Sequence, residues 1–280
     1  MDKIIGFLRL DGEKIIDKLY IYRAKFFYLL YKLLYYLFNL PPIQMGVFLT
    51  RDVIVKNSYG KFYCRKKDED LHIVGEHFEY ETLSIFKNLA KNAKVIIDVG
   101  AHIGKYTILA SKLCKGRVIS IEASKENFFI LRNNIKLNKC KNVLALNAAA
   151  TKSNRRLKLY KRGTSGSYTL KLKTSNYESV DGIALSSLLK KLGIKKVDLI
   201  KIDVEGAELD VIEGLKQYLS SHRVDNMILE IWKENYNKVK KKLASLGYSI
   251  EEIEYDNWNY LIRPNNIIRN NSKKWEVKID

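Results

Sequence analysis

The apolar run VIIDVG at residues 95–100 carries an aspartate, Asp98, into a turn that holds Gly100, Ala101 and Gly104. A strand that runs into glycines ahead of a helix makes a ligand loop, because the helix's first N–H groups are unpaired and point outward. A phosphate-binding P-loop requires Gly-x-x-x-x-Gly-Lys-Ser/Thr, but here the spacing is Gly100-x-x-x-Gly104 and Lys105-Tyr106 follows. A dinucleotide loop requires Gly-x-Gly-x-x-Gly, and Ala101 with the spacing after it breaks that pattern. The Asp98 carboxylate repels a pyrophosphate and suits a cationic or amino-bearing ligand. Gly100 is expected to permit the turn, and Gly104 to pack closely against the ligand.

Glu122 sharpens this. It ends the next apolar run, RVISIEA (117–123), where an acid in an open α/β sheet accepts hydrogen bonds from ribose hydroxyls. A ribose acid, an isolated strand-end aspartate and no pyrophosphate loop point together to S-adenosyl-L-methionine. The plainer alternative is that Asp98 and Glu122 cap the helices that follow them. A third set of acids lies in KIDVEGAELDVIEG (201–214), where Asp203, Glu205 and Glu208 crowd one strand end. Such crowding is costly unless the acids face water, a cation or a substrate. A hydroxyl nucleophile needs a base within hydrogen-bond reach, and Asp203, Glu205 and Glu230, in that order, are the candidates. The rival reading makes those three acids ligands of a divalent cation that activates the hydroxyl. No metal motif emerges elsewhere, since His72, His77, His102 and His222 are scattered; His102 and His77 are alternative bases.

These residues need strand ends to position them. From residue 95 apolar strands alternate with amphipathic helices: strands at 95–100, 117–123, 143–150, 197–204 and 226–232, helices at 105–115, 125–138, 206–219 and 235–247. That alternation means a mostly parallel sheet covered on both faces. YSIEEIEY and WNYLIRP then make a closing antiparallel hairpin around Asp256-Asn257. Ahead of the sheet, residues 47–74 form a β-hairpin turning at Ser58-Tyr59-Gly60, and 76–91 form a helix.

The chain resembles the FkbM-type methyltransferases, a branch of the Rossmann-like class that uses S-adenosyl-L-methionine. The matching stretches are IIDVGAHIGKYT (96–107), IEASKENFFILRNNIKLN (121–138), NAAATK (147–152), VDLIKIDVEGAELDVIEG (197–214), ILEIW and LGY, within residues 50 to 263. KIDVEGAE is the most specific of them, whereas DVGAHIG is shared by many methyltransferases. His102 departs from the family, which usually carries Asn there. The resemblance implies a seven-stranded methyltransferase sheet and methyl transfer to hydroxyls of sugars, glycolipids and polyketides. It implies that Asp98, Gly100, Ala101 and Gly104 border the methionine part of the cofactor and that Thr107 reaches its carboxylate. Glu122 is then expected at the ribose, Ala123 beside the adenine, Asn147 and Ala148 flanking the base, and Asp203 near the transferable methyl.

Charge bears on the acceptor. The formal net charge is +19, which favours anionic partners. Between Asn127 and Tyr177 there is no Asp or Glu, and TKSNRRLKLYKRGTSGSYTLKLK (151–173) follows the third strand with a turn at Gly163–Gly166. Its cations are expected at the mouth of the pocket, favouring an anionic glycan or lipid-linked sugar over RNA, since no RNA-binding module is evident. A non-catalytic protein of the same fold is a third reading. Residues 19–40, LYIYRAKFFYLLYKLLYYLFNL, read as an amphipathic helix stopped by Pro41-Pro42. Phe26, Leu30, Leu33, Leu37 and Leu40 form its stripe, Tyr28, Tyr31 and Tyr35 a second arc, with Lys25 and Lys32 between. Arg23, Lys25 and Lys32 argue against a spanning helix. The helix is expected to pack on the domain or a twin subunit, or to lie in a membrane surface. The first 18 residues have no apolar core and are not a signal peptide. Three scattered cysteines argue for a reducing compartment, so the expected location is cytoplasmic, peripheral at the inner membrane face. The division is an extension at 1–45, a methyltransferase domain at 46–264 and a basic tail at 265–280.

Overall fold

The computed structural model describes residues 9–265 apart from 42, 44, 162, 164–167, 172 and 257. The tail beyond 265, Pro42, Asn257 of the closing hairpin and Gly166 of the expected turn lie outside the described residues. Near the N-terminus β1 (Asp11–Gly12), β2 (Val53–Lys56) and β3 (Lys61–Cys64) form a small antiparallel sheet. Its turn is held by the Asn57 side chain, whose Oδ1 accepts from the N–H groups of Tyr59 (2.9 Å) and Gly60 (3.0 Å). The hairpin is tighter than 47–74, because Met45–Phe48 coils into a 3₁₀ turn instead of extending.

Helix α1 (Ile15–Phe38) starts earlier than the sequence indicates and ends at Asn39, which is left-handed (φ 48°), ahead of Pro41. Its apolar stripe faces the opposite way from packing on the domain. Asp17, Ile21, Ala24 and Lys25 are buried, while Phe26, Leu33 and Leu37 are 64%, 57% and 64% exposed. The tyrosine arc turns inward, with Tyr28 and Tyr31 against Phe48. Lys25 also turns inward and donates to the Leu10 carbonyl at 2.6 Å, while Lys32 sits between the Tyr28 and Tyr35 rings. Among the described residues no helix is long and apolar enough to cross a membrane.

After α2 (Asp70–Ile73) comes α3 (Tyr80–Ala90), shorter than the expected 76–91. Lys105 Nζ donates to the carbonyls of Phe78 (2.7 Å) and Gly75 (3.3 Å), so those carbonyls do not serve a continuous helix. Glu79 absorbs the break in a left-handed conformation, φ 53°.

The central sheet has seven strands. They are β4 (Val95–Val99), β5 (Arg117–Glu122), β6 (Val143–Asn147), β11 (Val197–Ile202), β12 (Val224–Glu230), β13 (Tyr248–Glu252) and β14 (Asn259–Pro264), in the order β13-β14-β12-β11-β4-β5-β6. β14 runs antiparallel to both neighbours, and the five strands from β12 to β6 are parallel. Alternate strand residues enter two cores. Ile96 and Leu199 meet α3 and α4 (Lys105–Leu113) on one face, whereas Ile97 and Ile200 meet α6 (Leu185–Lys191), α7 (Glu208–Ser220) and α8 (Tyr236–Ser245) on the other. α5 (Lys125–Leu137) follows β5.

The basic excursion is a second sheet. β7 (Ala149–Ala150), β8 (Arg155–Lys161), β9 (Tyr168–Thr169) and β10 (Tyr177–Ile183) pair in the order β7-β10-β8-β9. The run 143–150 therefore splits at Ala148 between two sheets.

Candidate functional site

A cavity of about 310 Å³ opens at the carboxyl ends of β4, β5, β11 and β12, where ligands bind in open α/β sheets. Asp98, Gly100, Ala101, Glu122, Ala123, Ala148, Asp203, Glu205 and Glu230 line it. Gly104, Thr107 and Asn147 do not.

Physical reasons account for those three. Gly104 is left-handed (φ 97°), and a Cβ there would meet Leu131 Cδ1 of α5 at 2.6 Å, so its closeness is to α5 rather than to a ligand. Thr107 is fully buried, and its hydroxyl donates to Asp98 Oδ2 at 2.5 Å while lying 2.7 Å from Ser120 Oγ. It therefore orients Asp98 from behind. The Asn147 amide donates to the carbonyls of Glu122 (2.9 Å) and Ala123 (3.0 Å), fixing the end of β5. Gly100 (φ 79°) is required by a close approach, since a Cβ there would stand 1.6 Å from the Asp203 carbonyl oxygen.

Asp98 accepts from the Thr107 N–H in the first turn of α4, as a cap would, whereas Ser124 rather than Glu122 caps α5. Ser124 accepts from the Asn127 N–H at 3.3 Å, and the N-cap residue of α4, Gly104, has no side chain to do the same. Glu122 instead accepts from the backbone N–H groups of His102 and Ser124, each at 2.8 Å. Burial raises both acids, Asp98 to about 6 and Glu122 to about 7, against the hydrogen bonds that favour their charged forms.

Across the cavity stands a second acid cluster. Carboxylate oxygens of Glu79, Asp203 and Glu230 lie within 4.8 Å of one another. Burial raises Asp203, and burial with the neighbouring Asp203 raises Glu230 well above its ordinary value. Glu79 moves the other way: burial alone would raise it, but Lys201 and Lys105 outweigh that and lower it. Glu79 accepts from the Tyr106 hydroxyl (2.8 Å) and the Asn259 amide (3.2 Å). Sequence reasoning missed Glu79, which lies in what reads as an unbroken helix, and Lys201, whose signal was a lysine inside an apolar strand. Glu205 is left-handed (φ 47°), and its carbonyl accepts from the Thr169 hydroxyl at 2.8 Å. His102 lines the cavity with its ring toward Asp70, 3.9 Å away, and burial lowers its pKa; His77 does not line the cavity.

Among the described residues, none of the basic excursion's cations lines the cavity. The excursion contributes Leu159, Tyr168 and Leu170 to the cavity wall, while Lys161 pairs with Glu126 (3.2 Å) and Lys171 with Asp210 (2.7 Å). Lys161 and Lys125 line a separate, more open depression with Glu126, Glu178, Tyr168 and Tyr177, so Tyr168 borders both spaces.

The donor set suits S-adenosyl-L-methionine. Two buried acids at the ends of β4 and β5 complement positive charge and hydroxyl donors, and the glycine turn carries a carboxylate where a pyrophosphate would need N–H groups. The description "Methyltransferase FkbM domain" matches residues 98–250 of the chain. Methyltransferase 1 of Beauveria bassiana is 27% identical over 190 residues, covering 58% of this chain and 75% of that protein. The hexuronic acid methyltransferase AglP of Haloferax volcanii is 26% identical over 171 residues, covering 61% of this chain and 70% of that one. Among solved structures, the precorrin-6y C5,15-methyltransferase of Geobacter metallireducens GS-15 is 17% identical with a TM-score of 0.41, covering 65% of this chain and 85% of that one. The family match spans more than half of the sequence and begins at the aspartate of the glycine turn. The chain thus belongs to the FkbM methyltransferases, Rossmann-like enzymes whose methyl donor is S-adenosyl-L-methionine.

Proposed function

We propose that this methyltransferase acts on a hydroxyl of an anionic glycan or lipid-linked sugar. The observation that carries transfer to a hydroxyl is the joining of two acid groups in one cavity, Asp98 and Glu122 at one end and Asp203 with Glu230 at the other. The anionic character of the acceptor rests on the net charge of +19. The cofactor, when bound, supplies an electrophilic methyl on a sulfonium. Asp98 and Glu122 would hold its cationic and ribose parts, with Gly100 and Ala101 beside the methionine and Ala123 and Ala148 beside the base. Gly104, Thr107 and Asn147 act behind them through the packing and hydrogen bonds given above.

At the other end Asp203 is the base, its side chain 35% exposed. Its raised pKa brings it nearer neutrality, where proton removal from a hydroxyl is most effective. Glu230 shares the proton with it, and Glu205 borders the acceptor's entrance. Orientation of the hydroxyl in line with the methyl is then the main rate term.

For the acceptor, Tyr168 connects the deep cavity to the depression holding Lys125, Lys161 and Tyr177. Tyrosine faces suit a sugar ring, while the depression's two lysines are matched by Glu126 and Glu178, Lys161 pairing with Glu126 at 3.2 Å. The similarity to a hexuronic acid methyltransferase supports the same class. The outward stripe of α1, together with a charge of +19, fits an anionic membrane surface carrying such an acceptor. Phe26→Asp with Leu33→Asp is expected to release the protein from anionic vesicles. A stable dimer in sedimentation, broken by the same changes, would assign that face to a second copy instead.

Methyl-labelled S-adenosylmethionine incubated with fractionated host extract tests the acceptor, with Asp203→Asn as control. Label in glycan or lipid, absent with the variant, supports the reading. Label in RNA overturns it, and cofactor binding with no transfer to any fraction points to a scaffold.

A further inference from the structure

The acid cluster surrounds a group with no role so far. Lys201 lies in β11 and is 1% exposed. Its Nζ is 3.1 Å from Asn259 Oδ1, 3.8 Å from Asp203 Oδ2 and 4.0 Å from Glu79 Oε1, and 5.5 Å from the centre of the Tyr106 ring. A buried ammonium without anions is costly. Burial works against the charge of Lys201, but Glu79, Asp203, Glu230 and Asp98 outweigh it and hold its pKa above the ordinary lysine value. Lys105 on α4 is the nearby like charge, and burial lowers its own pKa to about 8.

Three carboxylates this close are the donor set that hard divalent cations take. Here a protein cation already stands at ion-pair distance from two of them, tethered by Asn259. We propose that Lys201 is a built-in cation, a positioning residue that holds Glu79 and Asp203 in the place a divalent ion would otherwise fill. The two kinds of cation differ chemically. A metal ion can take the acceptor oxygen as a ligand and acidify it, whereas an ammonium has three N–H donors and no vacant coordination position. Activation of the acceptor is therefore left to the carboxylates, and Lys201 fixes where they point. The positioning role rests on the base assignment above; the cation site itself does not.

Manganese binding followed by electron paramagnetic resonance tests this without any acceptor, using the full chain and Mn²⁺ alone. The wild type is expected to show no stoichiometric Mn²⁺. Lys201→Ala, which vacates the ammonium's place, is expected to bind one Mn²⁺ at least roughly tenfold more tightly, since three carboxylates then face Lys105 without Lys201. Methylamine should displace that ion by refilling the position, a rescue that a merely structural lysine would not give. Retained cofactor binding by calorimetry shows that the variant is folded. The proposal is overturned if the wild type binds one Mn²⁺ and Glu79→Gln abolishes it, or if folded Lys201→Ala binds Mn²⁺ no better than wild type. The wild-type arm decides the question even where Lys201→Ala does not fold. Absence of methyl transfer to any acceptor would sink the proposed function and leave the manganese result standing.

Discussion

The two ends of the cavity bury acids in different company. At the β4–β5 end Glu122 is held by neutral donors, the N–H groups of His102 and Ser124, while Asp98 takes the Thr107 hydroxyl and also feels Lys201 from the neighbouring strand. Burial prevails there, and both acids rise toward neutrality. At the β11–β12 end a full cation, Lys201, stands among the carboxylates; with Lys105 it pulls Glu79 below its ordinary value, while burial still raises Asp203 and Glu230. Hydrogen-bond dipoles orient an acid, whereas a cation also stabilises its charge. Glu122 is thus left to take its partner from a ligand, whereas Glu79 already has cations of its own.

Changing each end by one residue should separate binding from transfer. The largest effect is expected from Asp203→Asn, which removes the base: transfer should fall about a thousandfold, measured as turnover at saturating cofactor. Next comes the joint between the ends. Gly100→Ala places a Cβ against the Asp203 carbonyl in a left-handed position and should cost about 3 kcal/mol or more in denaturant unfolding. Gly193→Ala, also left-handed but with nothing within 4 Å, should cost only about 1 kcal/mol. Equal losses would mean that the two ends are not in contact through Gly100.

The pH dependence is smaller and differs in sign between free and bound protein. Glu122 is raised from an ordinary 4.5 to about 7, so the folded cofactor-free chain binds its proton more tightly than the unfolded one. That contribution favours folding below pH 4.5 and is lost as the pH rises through 7. Ribose hydroxyls need the ionised acid as acceptor, so cofactor affinity should fall about tenfold between pH 8 and pH 6 by titration calorimetry. In Glu122→Gln the dependence on pH should flatten.

The sequence showed the first end more fully than the second. Asp98, Glu122, Asp203 and Glu230 stand where apolar runs stop, and strand period alone puts such residues at the ligand edge of a parallel sheet. Glu79 stayed hidden because EHFEYETLSIFKNLAK has helical periodicity throughout. The break comes from Lys105, a residue distant in sequence, bonding the Gly75 and Phe78 carbonyls. Thr107 was assigned to the ligand because position in the motif does not reveal that Asp98 and Ser120 claim its hydroxyl. The excursion at 151–173 hid its strands for another reason: cations occur on both faces of β8, so alternation marks no buried side. In α1 the apolar stripe was legible, but the side it faces depends on Lys25 reaching the Leu10 carbonyl.

Calorimetry of S-adenosylmethionine binding to wild type, Glu122→Ala and Asp203→Asn tests the division of the cavity most directly. Glu122→Ala removes the charged acceptor for two hydroxyls and should weaken binding about a hundredfold, while Asp203→Asn should stay within about threefold of wild type. Loss of binding in Asp203→Asn as large as in Glu122→Ala would contradict the account, because the two ends would then be one site.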